Sequence, residues 1–264
     1  MEKQFGKRFE GKVAIITAST QGIGFSIAER LGLEGASVVV SSRKQKNVDE
    51  AVEQLKARGI EVLGVVCHVS NGLQRKNLID ETIQKYGKID VIVSNAAANP
   101  SADPILEIKE SVLDKLWEIN VKSSILIVQD AAPHLQKGSS VIFISSAGAY
   151  QPQASMAMYG VTKTALLGLT KALATEMAPD TRVNCIAPGF VPTNFADYIT
   201  KNDAVYYVVY INFLREVNEI FSKASGSSPA LAIQAVAAYT VTITTMPPQQ
   251  SMHGDVISTK QQPP

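Results

Sequence analysis

Along most of the chain, short continuous apolar runs alternate with longer segments whose apolar positions recur every three or four residues. The runs predict strands at Val13–Thr17, Val38–Val40, Val62–Val66, Val91–Val93, Val141–Ile144 and Val183–Ile186. Helical spacing falls at Ile23–Leu33, Ala51–Ala57, Leu78–Tyr86, Leu113–Val128 and Tyr159–Met177. Runs rich in β-branched residues and lacking polar alternation suit strands buried on both faces, as in a parallel sheet under helices. The strand–helix order implies right-handed crossovers and a doubly wound α/β sheet with helices on both faces.

The pattern changes after residue 204, which divides the chain into a core, 1–204, and a tail, 205–264, of different character. The tail holds an apolar stretch rich in tyrosine and valine from Val205, a break at Gly226–Pro229 and a second apolar stretch at Ala230–Ile243. Met246–Pro264, rich in Pro, Gln, Ser and Thr, is expected to be disordered.

The 264 residues suffice for one large α/β domain; 45% are apolar and 19% charged, as in ordinary globular proteins. A net charge of +1 gives no global attraction to nucleic acid or anionic membranes. The N-terminus has no apolar signal region, and no apolar run is long enough to span a bilayer. Cys67 and Cys185 both lie in apolar runs and are expected as buried free thiols. No metal-ligand cluster stands out.

Two regions carry chemistry. The first follows the first strand, Thr17-Ala-Ser19-Thr-Gln-Gly22-Ile23-Gly24. There Gly22 and Gly24 let backbone amides approach a pyrophosphate at a helix N-terminus. The second strand ends in Ser41-Ser42-Arg43-Lys44, with no acid to hold a ribose hydroxyl. A hydroxyl pair followed by two cations suits a 2′-phosphate, so NADP(H) is expected in preference to NAD(H). The second region pairs Tyr159 with Lys163, one helical turn on, and Ser146, thirteen residues upstream of the tyrosine at the end of the fifth strand. A phenol with a pKa near ~10 needs ~4 kcal/mol of preferential phenolate stabilisation to fall by ~3 units. A cation at i+4 supplies part of it. A Tyr-x-x-x-Lys pair by itself is common on exposed helices; a serine at the sheet edge where open α/β folds bind ligands makes it a candidate site.

In order and spacing these motifs resemble the short-chain dehydrogenase/reductase family, from residue 9 to about 204. Ser41-Ser-Arg-Lys-Gln, Cys67-His-Val-Ser, Ser94-Asn-Ala-Ala and Tyr159-Gly-Val-Thr-Lys-Thr-Ala-Leu-Leu-Gly-Leu-Thr-Lys171 are similar to its member 4 subgroup, whose plant relatives are called tropinone-reductase-like or indole-3-butyric-acid-response proteins. The resemblance implies a Rossmann-type fold and NADPH-dependent hydride transfer to or from a small ketone, aldehyde or hydroxyacyl substrate. It further implies a homo-oligomer (dimer or tetramer) and a peroxisomal location. This chain ends Gln-Gln-Pro-Pro, without the subgroup's C-terminal targeting tripeptide, so a cytoplasmic location is expected for it.

Residue by residue, the resemblance makes Tyr159 the proton donor and Ser146 its partner on the substrate oxygen. Lys163 bonds the nicotinamide ribose, and Asn120 holds a water in a proton relay. Asn95 and Ala96 pass the adenosine, while His68 and Val69 stand where the family places Asp-Val beside adenine. For His68 a purely structural role stays open. Pro188, Gly189, Val191 and Thr193 match the loop that holds the carboxamide. Ala18 replaces the family's first glycine, which requires a left-hemisphere backbone conformation that alanine tolerates. The family's last strand is missing or replaced here, leaving the sixth strand with an exposed edge unless Ala238–Thr244 or a partner chain covers it. A catalytically idle, cofactor- or partner-binding variant is the alternative reading.

Overall fold

The computed structural model describes residues 6–152, 156–189, 191, 193, 195, 236–237, 240 and 256–258. The strands are β1 (Val13–Ile16), β2 (Ser37–Ser42), β3 (Val62–Val66), β4 (Ile89–Ser94), β5 (Leu135–Ile144), β6 (Thr181–Ala187) and β7 (Val256–Ser258). They form one parallel sheet in the order β3-β2-β1-β4-β5-β6-β7. The helices are α1 (Gly22–Leu33), α2 (Gln45–Lys56), α3 (Gly72–Tyr86), α4 (Glu110–Trp117), α5 (Ser123–Ala131) and α6 (Ala157–Glu176). The strand order reverses between β1 and β4, the crevice at which doubly wound folds bind ligands.

Alternation along each strand divides the core in two. Ile16, Val38 and Val40 pack with Ile27, Leu31 and Leu55 beneath α1 and α2. Ile15 and Val39 point the other way, to Leu78, Ile127, Phe143 and Ala174 beneath α3, α5 and α6. Helix spacing matches this demand: α1 buries Gly24, Ile27, Ala28 and Leu31, one face of a 3.6-residue repeat. At its ends α3 is fixed by Asn71, whose side chain accepts from Gln74 N–H, and by Gly87 at φ 75.

Three expectations are corrected. The helix read as continuous over Leu113–Val128 is broken by a π-helical turn, Glu118–Lys122, between α4 and α5. The β6 edge is covered by β7, through Cys185↔Val256 to Ala187↔Ser258, and Thr240 of the segment offered for that place is helical. Val256–Ser258 also lies in the terminal stretch read as disordered; the rest of that stretch lies outside the described residues. A three-residue strand with a lone Pro-free apolar core is too short to announce itself by periodicity.

Candidate active site

Loops at the carboxyl ends of β1 to β4 make the first half of the site. Thr17 and Ser19 are fully buried. Thr17 Oγ1 accepts from the N–H groups of Asn95 and Ala96, both at 3.0 Å. The Asn95 amide donates back to the carbonyls of Thr17 at 3.0 Å and Ala18 at 3.1 Å. Ser19 Oγ donates to the Ile16 carbonyl at 2.6 Å and accepts from Ser41 N–H at 3.1 Å. These three side chains, read from the sequence as cofactor contacts, are engaged in tying β1, β2 and β4 together.

Gly24 sits inside that knot. A Cβ there would stand 2.6 Å from Asn95 Nδ2 and 2.7 Å from the Ala18 carbonyl oxygen. Gly22 has φ 57, and a Cβ on it would meet Thr193 Cγ2 at 3.3 Å, so the first turn of α1 lies against the loop after β6. Ala18 has φ 50, not the left-hemisphere conformation expected of it. The surrounding bonds to Thr17, Ala18 and Ser19 impose a geometry that an L-residue adopts at a cost of about 1–2 kcal/mol. The first turn of α1 carries no acidic residue, so no carboxylate competes for an anion at that dipole end. Ile23 packs inward on the core.

Beside this loop, Ser42 is half-buried, and Arg43 and Lys44 are exposed at the turn into α2. Cys67 N–H donates to the Ser42 carbonyl at 2.9 Å, which places His68 next to that turn. The His68–Val69 segment is held from α3: His68 N–H donates to Gln74 Oε1 at 2.7 Å, and Arg75 Nη1 donates to the Val69 carbonyl at 2.7 Å. Val69, Ala96 and Ile119, with Ala98 against them, form a small apolar cluster of their own.

The second half joins β5, β6, the π turn and α6. Asn120 is fully buried. Its Oδ1 accepts from Ala98 N–H at 2.7 Å, and its Nδ2 donates to the Ala98 carbonyl at 2.9 Å and to Thr162 Oγ1 at 3.0 Å. The side chain implied as a water holder thus fastens the loop after β4 to α6. Asparagine's competition with backbone bonding suits a π turn, a form that recurs at functional sites.

Tyr159 is 8% and Lys163 2% exposed. Lys163 Nζ stands 5.6 Å from the Tyr159 ring centroid and donates to the Ile144 carbonyl at 2.8 Å. Burial pushes the Lys163 ammonium down to about 8 from its ordinary pKa. Ser145 Oγ donates to the Lys163 carbonyl at 2.8 Å, and Thr164 Oγ1 to the Ala149 carbonyl at 2.6 Å. Gly160 permits this approach: a Cβ there would lie 2.7 Å from the Gly148 carbonyl oxygen. The loop bearing Ser146 is therefore docked on the helix bearing Tyr159. Ser146 Oγ accepts from Gly148 N–H at 3.1 Å.

The Pro188 carbonyl accepts from Ala147 N–H at 2.7 Å, joining the loops after β5 and β6; Gly189 follows at once, and Val191 packs against the core. Phe195, 42% exposed, places its ring 5.8 Å from that of Tyr159. Around the start of α6, Met156 and Met158 are half-buried and Tyr150 is exposed.

Sequence reasoning missed Ser145, Thr162, Thr164, Gln74 and Arg75, which position others. The Ser145-Ser146 doublet and the threonines flanking Lys163 were visible, but nothing local says which hydroxyl turns inward. Cys67 and Cys185 are buried free thiols, as expected, and burial pushes both up to about 11. Among the described residues there is no metal-ligating cluster and no helix long and apolar enough to cross a membrane.

The arrangement is a phenol near a buried ammonium, on a helix docked against the loop that carries Ser146, in a doubly wound sheet. A family model described as short chain dehydrogenase matches residues 12–204, and the chain belongs to that family. Tropinone reductase-like 3 of Erythroxylum coca is 79% identical over 204 residues, 77% of this chain and 79% of that protein. Dehydrogenase/reductase SDR family member 4 of Sus scrofa is 48% identical over 201 residues, 75% of this chain and 72% of that protein. A short chain dehydrogenase from Burkholderia cenocepacia, solved in complex with NADP, superposes with a TM-score of 0.79 at 25% identity, over 95% of this chain and 97% of that one. The subgroup resemblance of the motifs stands.

Proposed function

We propose that the chain is an NADPH-dependent carbonyl reductase and alcohol dehydrogenase, acting on a small ketone, aldehyde or hydroxyacyl substrate. The observation that carries this reading is the buried Lys163 one turn from Tyr159, with Nζ 5.6 Å from the phenol ring. An ammonium so placed has no structural ion pair among the described salt bridges, and its desolvation is a standing cost. It is explained if a phenolate forms beside it.

The residues fit a nicotinamide dinucleotide. Gly22 and Gly24 let the first turn of α1 pack closely on Thr193 and on Asn95 and Ala18, no acidic residue stands in that turn to repel a pyrophosphate at its amides, and Arg43 and Lys44 are exposed at the end of β2 for a 2′-phosphate. When bound, the reduced nicotinamide supplies the hydride for the carbonyl carbon. Ser146 donates a hydrogen bond to the carbonyl oxygen and Tyr159 gives it a proton. Lys163 stabilises the resulting phenolate. Asn120 and Thr162 hold α6 against the loop after β4, which keeps Tyr159 in place. The alternative of an idle variant rested on replacement of the C-terminal lid and the final strand; it is not favoured, and β7 occupies the edge of β6.

Tyr159→Phe tests the reading. Turnover should fall by about a thousandfold or more, with NADPH binding nearly unchanged. Substantial remaining turnover in a screen of ketones, aldehydes and hydroxyacyl compounds removes the mechanism. Equal affinity for NADPH and NADH removes the cofactor preference.

A further inference from the structure

We infer that Ser124 is a positioning residue for Tyr159: paired with Ser94 at the end of β4, it begins a buried chain of hydrogen bonds that ties the cofactor half of the cleft to the backbone of the proton donor. This rests on the reductase reading above and concerns residues buried behind the reacting groups. The first observation is continuity. Ser94 Oγ donates to Ser124 Oγ at 3.0 Å, and Ser124 Oγ donates to the Asn120 carbonyl at 3.1 Å. Asn120 Nδ2 donates to Thr162 Oγ1 at 3.0 Å, and Thr162 Oγ1 to the Tyr159 carbonyl at 2.7 Å. At the other end, Ser94 is followed by Asn95, which is knotted to Thr17 and Ala18 through its backbone and its side chain. The chain therefore runs from β4 through the π turn to the first turn of α6.

The second observation is direction. A hydroxyl has one proton to give. Carbonyls take the protons of Ser124 and Thr162, so Ser124 accepts from Ser94, and Thr162 accepts from Asn120. Turning any one hydroxyl away leaves its partner short of a bond. All four members are buried: Ser94 at 4%, Ser124 at 2%, Asn120 and Thr162 fully. A satisfied network in such a place is rigid. It ends on a carbonyl, so it holds position and carries no proton.

The third is what it holds. Tyr159 lies in the first turn of α6, and helix ends fray. Its carbonyl is bonded by Thr162, and Thr162 is bonded in turn from outside the helix by Asn120. Ser124 reaches Asn120 by back-bonding to the residue four before it, inside the π turn. A displacement of about 1 Å set by a residue far from the chemistry can slow a reaction about a hundredfold. Ser123 supplies the control. It is as buried as Ser124, and its Oγ makes the same kind of back-bond, to the Ile119 carbonyl at 2.6 Å, outside the chain.

The test is steady-state reduction by NADPH of the best substrate from the carbonyl screen above. Ser124→Ala should lower kcat about 10- to 100-fold, with KM for the carbonyl and Kd for NADPH within about twofold of wild type. Ser123→Ala should leave kcat within about twofold. Ser124→Thr, which keeps the hydroxyl, should recover most of the rate. Ser94→Ala should lower kcat by a smaller factor, because Ser124 keeps its bond to Asn120, and it decides the matter if Ser124→Ala does not fold. Joined to Thr162→Val, the Ser124→Ala loss should not multiply, since the chain is already broken. An unchanged kcat in the folded Ser124→Ala or Ser94→Ala variant, an equal loss in Ser123→Ala, or losses that multiply overturn the inference while the reductase reading stands. A wild-type chain that reduces no carbonyl in the screen overturns both.

Discussion

The two halves of the cleft are built on opposite principles. Around β1 and α1 the geometry depends on atoms that are missing: Gly24 leaves space within 2.6 Å of Asn95 Nδ2, and Gly22 lets α1 meet Thr193. Around β5 and α6 it depends on polar atoms that are present and buried: Ser145, Asn120, Thr162 and Lys163. A steric cradle tolerates loss of bulk and fails on addition. A polar cradle fails on subtraction, because each lost partner leaves a buried group unpaired. The first suits a ligand bound through backbone amides, and the second suits a group that must change charge during a reaction.

Substitutions at the two halves separate these principles. The largest effect is expected from Gly24→Ala. The added carbon forces Asn95 and the Ala18 carbonyl apart. NADPH affinity should fall by at least about a hundredfold, with about 1–3 kcal/mol lost in urea unfolding, as for overpacking. If binding persists at wild-type strength, the steric half of the comparison is wrong.

Asn120→Ala is the matching subtraction. It strips the N–H and carbonyl of Ala98 of their partners and should cost roughly 2–4 kcal/mol. Denaturant titration measures it directly, and a cost within error of zero would show that solvent replaces the amide.

Lys163 predicts a pH signature. Its pKa is depressed, so the folded chain releases the proton near 8 while the unfolded chain keeps it to about 10.4. Between those values the unfolded state binds more protons at this group, so the contribution of Lys163 to stability rises with pH, while Cys67 and Cys185, held near 11 in the fold, contribute in the opposite sense. Reductase activity that needs the ammonium falls over the same range, by up to tenfold per pH unit above 8. Lys163→Met should make the stability slope over this range more negative by the lysine's share, read as the difference between the wild-type and variant slopes. A rate flat from pH 7 to 10 would separate the charge from catalysis.

The smallest effect is a gain. Ala18→Gly relieves a φ of 50 and should stabilise by about 0.5–1 kcal/mol, the relief exceeding glycine's extra chain entropy. A loss of stability would mean that the alanine methyl packs usefully in the loop.

Six of the strands and most helices are legible in the sequence, because burial on two faces selects apolar runs and burial on one selects a helical repeat. The run from Leu113 to Val128 misled by its very regularity. Its apolar spacing continues through Asn120, whose side chain bonds Ala98 and Thr162 from within a π turn that the spacing does not announce. The pairing of Tyr159 with Lys163 was legible too, since one helical turn sets their distance whatever the rest of the chain does.

What the sequence determined by itself is local: the strand and helix periods, the glycines that clear a turn, and the phenol and amine on one helix face. The tertiary structure alone decided where each hydroxyl is engaged. Ser19 and Ser145 face inward as ties, while Ser146 accepts from Gly148 N–H. It also decided that β6 is covered by a strand some seventy residues further on. Hydrogen-bond partners and sheet neighbours join residues far apart in the chain, and no local pattern of apolar and polar positions encodes which of several identical groups will meet.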